Sequence, residues 1–239
     1  MKVKILGVGI DNLSFDEAAD KVLTFLKDGR KHYVVTPNPE IIMLSQKDKK
    51  LKEILNKADL AAPDGIGLLL AAKILGESLK ERVTGTDLAD KLCEMAAKKG
   101  LVVGFLGGRP GVAEKAAECQ KERYSGLKVV FSFAGDFGHD IEVQRKIKPV
   151  DFLFVGYGAS KQEYWIARNL SKVPAKVALG VGGALDYFAG KRIRAPKIVQ
   201  NLGLEWFWRL LLEPWRFKRQ LALPKFLFLV LKEKVFQLL

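Results

Sequence analysis

The sequence predicts an α/β fold: a Rossmann-like, mainly parallel sheet with helices on both faces, extended by a C-terminal helical appendage. Three observations lead there. Short apolar runs alternate with amphipathic helical runs over residues 1 to about 190. Glycine-rich turns follow several of those apolar runs. Strand signals stop after Pro196, where a basic segment rich in aromatic residues takes over. A chain of 239 residues suffices for one large domain, or one domain plus an appendage. The expected division is residues 1–194 for the α/β domain and 195–239 for the appendage.

Taken in order, Val3–Leu6, Tyr33–Thr36, Leu101–Leu106, Lys128–Phe133, Phe152–Val155 and Lys176–Val181 read as strands. They are short, apolar and closed by Gly or Pro, as strands buried on both faces tend to be. Ser14-Phe15-Asp16-Glu17 is a capping-box pattern that opens a helix to about Lys27. Pro110 suits a first helical turn and opens another, to about Tyr124. Strand and helix in alternation imply parallel strands joined by crossover helices. Beyond Pro196 the chain reads as two or three helices punctuated by Pro214 and Pro224.

Composition narrows the function classes. The start, Met1 to Gly7, reads as a charged strand rather than the apolar core of a signal peptide. Cys93 and Cys119 sit in helix-like segments, and with no CxxC pair a zinc site is not expected. A reducing cytoplasm is the expected compartment. The net charge of +13 is uneven: from Lys191 to Leu239 eleven Lys or Arg face three Glu. The same stretch holds Trp206, Trp208 and Trp215. Basic residues mixed with bulky apolar ones suit an anionic membrane surface, with nucleic acid as the competing anionic partner. The longest uncharged apolar run there, Phe226–Leu231, is six residues, whereas a membrane span needs about 20. The segment could lie on a bilayer, or fold over the sheet or into an oligomer interface.

Ligands of open parallel sheets bind at the carboxyl ends of the strands. There, Thr36-Pro37-Asn38-Pro39-Glu40 presents a hydroxyl and an amide on a turn stiffened by two prolines. The plainer reading is a turn in which Asn38 caps the next helix. Asp64, in Pro63-Asp64-Gly65, is either a helix cap or a carboxylate able to take a proton from a hydroxyl. Gly107-Gly108-Arg109-Pro110-Gly111 could let backbone N–H groups approach a phosphate, although it is neither a P-loop nor G-x-G-x-x-G. Gly156 to Glu163, with Gln162 entering a helix, and Gly182 to Asp186 make similar turns. Three such turns mark one rim as a ligand site. His32 and His139 have no partner at a telling spacing and read as structural or surface residues; Asp136 with His139 is too small a set for a metal.

Thr-Pro-Asn-Pro-Glu (36–40), Pro-Asp-Gly-Ile-Gly (63–67), Glu81 to Leu88, Gly156 to Trp165, Gly182 to Gly190 and Gly203-Leu204-Glu205-Trp206 through Arg209, Glu213-Pro214, Arg216 and Arg219 occur in one order. Together they resemble the WecG/TagA/CpsF glycosyltransferases, glycosyltransferase family 26, over about residues 3 to 220. Ser160 departs from the pattern where Pro is common, and Asp136 where an aromatic often follows Gly135.

The resemblance implies an inverting transfer that needs no metal and no other cofactor. In the teichoic-acid branch, N-acetylmannosamine passes from UDP-N-acetylmannosamine to N-acetylglucosamine on undecaprenyl diphosphate, forming the linkage disaccharide. By that likeness Asp64 is the general base, and Thr36 and Asn38 hold the donor sugar. Arg82 lies near the diphosphate, Gln162 and Asp186 lie in the nucleotide-sugar pocket, and Gly107 and Gly108 contribute their loop. The appendage docks on the membrane and carries Arg209, Arg216 and Arg219 to the lipid diphosphate. The expected place is peripheral, on the inner face of the cell membrane, with a homo-oligomer in solution that hides the apolar tail. Rival readings are the same fold transferring N-acetylmannosaminuronic acid or glucose, a non-catalytic nucleotide-binding module with a membrane-binding tail, and a nucleic-acid binder. The last lacks any recognised motif.

Overall fold

A computed structural model describes residues 1–237; the side chains at positions 201, 216, 218, 220 and 237 lie outside that description. Eight strands form two sheets: β1 (Lys2–Ile5), β2 (Val8–Asp11), β3 (His32–Val35), β4 (Leu60–Ala61), β5 (Val102–Gly107), β6 (Lys128–Phe133), β7 (Val150–Gly156) and β8 (Ala175–Gly180). The main sheet has the order β4-β3-β8-β7-β5-β6 and is parallel throughout. The α/β expectation is met.

The first strand departs from expectation. It does not join the main sheet but pairs antiparallel with β2, Lys2 opposite Asp11 and Ile5 opposite Val8. The cause is the two-residue link Leu6-Gly7, both at positive φ (49° and 81°), which reverses the chain at once. A link that short can only make a hairpin, since parallel neighbours need a crossover of a dozen residues or more.

Alternation along the strands builds the two faces. Val34, Leu60, Phe105, Phe152, Phe154, Val177 and Leu179 point into one core with the helices Phe15–Thr24, Gly85–Lys99 and Val112–Arg123. On the other face, Val35 and Ala61 meet the helices Pro39–Lys47, Lys49–Lys57 and Ile66–Leu75, while Leu106, Leu153, Val155 and Ala178 meet Lys161–Asn169. The period of two puts successive residues on opposite faces, so each strand feeds both layers. The capping box at Ser14 forms as expected: its side chain accepts from the Glu17 N–H, and Glu17 accepts from the Ser14 N–H. That helix stops at Thr24, one turn short of Lys27.

After residue 196 the chain forms the helices Lys197–Asn201, Glu205–Leu212, Phe217–Gln220 and Ala222–Gln237, with a 3₁₀ turn at Pro214–Arg216. Pro224 does not interrupt this series. It is the third residue of Ala222–Gln237, where the missing N–H would have had no helical partner. That last helix packs on Ile66–Leu75 and Pro39–Lys47 through fully buried Phe226 and Val230. Glu233 accepts the Leu6 N–H at 3.0 Å, and Lys234 donates to the Leu75 carbonyl at 3.1 Å. Among the described residues no helix is long and apolar enough to cross a membrane.

Because Phe226 is buried between this helix and the body, Phe226→Ala should cost about 3–5 kcal/mol. The check is urea unfolding: the midpoint should fall while the transition stays single.

Candidate active site

The loops that leave β3, β4, β5, β7 and β8 converge at one end of the sheet and wall a cleft of about 500 Å³. Of the residues singled out in the sequence, Thr36, Asn38, Asp64, Arg82, Gly108, Gln162, Asp186, Arg209 and Arg219 all line it. Gly107 does not line it, and the side chain of Arg216 lies outside the described ones. Thr36 and Asp186, far apart in the chain, thus share one space because parallel strands deliver their carboxyl ends to the same side, and the tail helices bring Arg209 and Arg219 to it.

Asp64 sits at the floor, just past β4. It does not cap a helix. Gly65, at φ +100°, occupies the N-cap position of Ile66–Leu75, and that helix has no side-chain cap. The Asp64 N–H is tied to the Pro37 carbonyl at 2.9 Å, and its Oδ2 lies 3.5 Å from the Gly85 N–H. Burial pushes the carboxyl up to about 6, Arg209 pulling against that rise, Glu205 adding to it, and the Gly85 N–H and Arg82 opposing it. A base with that affinity for protons is ionised at neutral pH and still able to accept one.

The neighbouring groups are held by specific bonds. Asn38 does cap Pro39–Lys47, accepting the Ile41 N–H at 3.0 Å, while it also lines the cleft. Thr36 packs against Gly85 so closely that a Cβ there would sit 2.8 Å from Thr36 Oγ1. Gln162 is buried and spends both ends of its amide inside the protein: Oε1 accepts the Gly182 N–H at 2.9 Å, and Nε2 donates to Glu163 Oε1 at 2.9 Å. It therefore braces the β7 turn against the β8 turn. The Gly108 N–H donates to the Gly156 carbonyl at 3.0 Å, so it is engaged by protein rather than turned to a ligand. Gly107, at φ +113°, exists for close packing: a Cβ would meet the Gly156 carbonyl carbon at 2.7 Å.

The tail supplies the other half of the site. Arg209 donates to Glu205 at 2.9 Å and lies over the Tyr187 ring, 5.1 Å from its centroid. Although burial opposes its charge, Tyr187, Glu205 and Asp64 keep Arg209 protonated. Arg82, from the body, reaches Glu205 at 3.5 Å. Arg219 pairs with Glu40 through two bonds of 2.7 and 3.0 Å, joining the tail to the first turn of Pro39–Lys47. Asp186 faces Arg192 at 3.5 Å.

Sequence reasoning missed Arg109, Glu163, Arg192 and Glu205, which also line the cleft. Glu163 is buried, and burial pushes its carboxyl up to about 7 against the Gln162 amide. Its position beside Gln162 at a helix start was the available signal. For Glu205 the signal was an acidic residue four positions before Arg209 in a basic tail. Among the described residues no cluster of three or more His, Cys, Asp or Glu is placed to hold a metal ion. His32 is buried with Nε2 2.9 Å from Asp28 and its ring stacked on Phe25, and His139 pairs with Asp136 on an exposed loop.

The raised Asp64 carboxyl has a consequence for stability. The unfolded chain gives up this proton near pH 4 and the folded chain near pH 6, so stability contributed by the neutral acid is lost as pH rises through that window. Above pH 6 the desolvated charge costs about 3 kcal/mol. Asp64→Asn should therefore raise Tm at pH 7.5 by roughly 6–12 °C, with the gain vanishing below pH 4, as read by differential scanning calorimetry.

A profile of the glycosyl transferase WecG/TagA/CpsF family matches residues 3–238. The chain is also 33% identical, over 98% of its length and 93% of theirs, to two proteins from Staphylococcus aureus, of strains MRSA252 and NCTC 8325 / PS 47. Each of those is named N-acetylglucosaminyldiphosphoundecaprenol N-acetyl-beta-D-mannosaminyltransferase. A profile match over nearly the whole chain, on a cleft built from the same residues that carry the sequence resemblance, places this protein in the WecG/TagA/CpsF glycosyltransferase family.

Proposed function

We propose that the protein is an inverting, metal-independent glycosyltransferase that moves N-acetylmannosamine from its UDP donor to N-acetylglucosamine on undecaprenyl diphosphate. One observation carries this reading: Asp64 shares the cleft with a guanidinium from the body, Arg82, and one from the tail, Arg209. The names of the Staphylococcus aureus relatives support the acceptor and the sugar.

In a single displacement, Asp64 takes the proton from the acceptor hydroxyl as that oxygen attacks the anomeric carbon. The bond to UDP breaks on the far side, and its electron pair leaves with the diphosphate. Charge grows on that leaving group, and Arg82 and Arg209 are the groups that meet it, since a guanidinium stays protonated and grips phosphate in a bidentate way. Thr36 and Asn38 orient the donor sugar. Gln162 and Asp186 shape the nucleotide pocket, Gln162 by bracing the turns after β7 and β8. A volume of about 500 Å³ is within the roughly 300–1,000 Å³ of ligand clefts.

The tail meets the membrane in this reading. Ile198, Leu202, Leu211, Trp215 and Phe217 are all more than half exposed, with Trp215 at 77%. Apolar exposure on that scale beside basic side chains fits an anionic bilayer, where each Lys or Arg adds about 1 kcal/mol. Arg216 and Arg219 are then the tail residues assigned to the lipid diphosphate, and the protein works at the inner face of the cell membrane.

Incubation with a panel of UDP-sugars and a short-chain N-acetylglucosaminyl lipid diphosphate should yield, by mass spectrometry, one added N-acetylhexosamine from UDP-N-acetylmannosamine. Asp64→Asn should lower kcat by about 10²- to 10⁴-fold. Transfer at the wild-type rate in that variant would remove Asp64 from the mechanism. In co-sedimentation, phosphatidylglycerol vesicles should pull down the protein more than phosphatidylcholine vesicles do, and Trp215→Glu should weaken the effect; equal recovery would argue against the membrane reading.

A further inference from the structure

Glu205 is the first residue of Glu205–Leu212 and is buried, 7% exposed. Three guanidinium groups surround it: Arg209 at 2.9 Å, Arg82 at 3.5 Å and Arg194 at 3.8 Å. These three are not equivalent. Arg194 already has a bidentate partner in Asp87, at 2.6 and 2.7 Å, and Asp87 in turn accepts from Thr84 Oγ1 at 2.6 Å. Among the described residues, Glu205 is the one carboxylate that pairs with either Arg82 or Arg209.

The contacts form a chain. Thr84 caps Gly85–Lys99, and the Gly85 N–H at the start of that helix faces Asp64. From there the path runs through Asp87 and Arg194 to Glu205, and on to Arg82 and Arg209, whose charges act on Asp64. Two of its members, Glu205 and Arg209, come from the tail, and the others from the body and the segment that leads out of it. The buried Nε atom of Arg209 has no hydrogen-bond partner, so the orientation of Arg209 rests on its bond to Glu205 and on the Tyr187 ring.

We infer that Glu205 is a positioning residue: it holds the tail helix Glu205–Leu212 on the α/β body so that Arg209 and Arg82 are presented together to Asp64. This rests on the transferase reading above for its consequence in turnover, but not for its geometry. A bland alternative is that Glu205 is an acid at a helix N-terminus, where it favours the helix dipole and nothing more. The two differ in what removal of the charge does to Asp64. The charged groups facing Asp64 are Arg82 from the segment before Gly85–Lys99, and Glu205 and Arg209 from the tail helix, with the Gly85 N–H beside them and Tyr187 behind Arg209. By its charge alone Glu205 raises the proton affinity of Asp64, so a Glu205 that does nothing more lowers it on removal, whereas release of Arg209 and Arg82, which both lower it, raises it.

Glu205→Gln keeps the shape and removes the charge. In the transfer assay it should lower kcat about tenfold or more while KM for the UDP-sugar changes less than about threefold, and the acidic limb of the pH–rate profile should move to higher pH. The carboxyl carbon of Asp64, followed by ¹³C NMR titration of the full chain and assigned with Asp64→Asn, should titrate higher by about half a unit or more. Glu205→Asp, which keeps the charge but shortens the reach, should restore the Asp64 midpoint and only part of kcat. An unmoved or lowered midpoint in Glu205→Gln would overturn the inference, as would a fall in Tm with an unchanged pH profile. If Glu205→Gln does not fold, Glu205→Asp carries the test, and wild-type kcat there would overturn it. Absence of transfer by the unaltered chain, with the Asp64 midpoint still rising in Glu205→Gln, would sink the transferase reading and leave the network standing.

Discussion

Asp64 is drawn out of water at the end of a two-residue strand, and a carboxylate in that position is tolerated only where opposite charge and an N–H compensate for lost hydration. Arg209, Arg82 and the Gly85 N–H provide that compensation from three separate parts of the chain. The arrangement leaves Asp64 poised between its two protonation states rather than locked as an ion. Much of the surrounding structure follows from the need to hold those compensating groups still.

The parallel sheet does the gathering. Each crossover helix returns the chain to the same starting edge, so every strand ends at the same rim, and five turns there wall one cleft. Some glycines at this rim serve close packing. Gly107 and Gly156 lie against each other, and Gly85 lies against Thr36, so the loops can approach until their backbones bond directly. The cleft is lined largely by backbone and braced side chains, which keeps the few free polar groups in fixed places.

The C-terminal segment is part of this construction as well as a surface. Its last helix is anchored by Phe226, Val230 and the Glu233 bond to Leu6, and its shorter helices bring Arg209 and Glu205 over the cleft. Apolar side chains on the same helices remain exposed. Buried ion pairs of this kind are weak sources of stability and strong sources of geometry, which is the sense in which Glu205 matters.

Local physics in the sequence determined the elements: apolar runs of strand length, the capping box at Ser14, the caps at Asn38 and the glycine turns that end strands. It determined the rim as well, because parallel topology places every strand-end cluster on one side, and the family motifs followed from the same residues. What it left open was pairwise. Whether Asp64 caps a helix or faces a cleft depends on Gly65 taking the cap position, and the fate of the first strand depends on the backbone angles of Leu6 and Gly7. Likewise, Arg82 and Glu205 are 123 residues apart, and no periodicity records that they meet. Burial, proton affinity and ion pairing are properties of distances between remote segments, so only the packed chain could decide them.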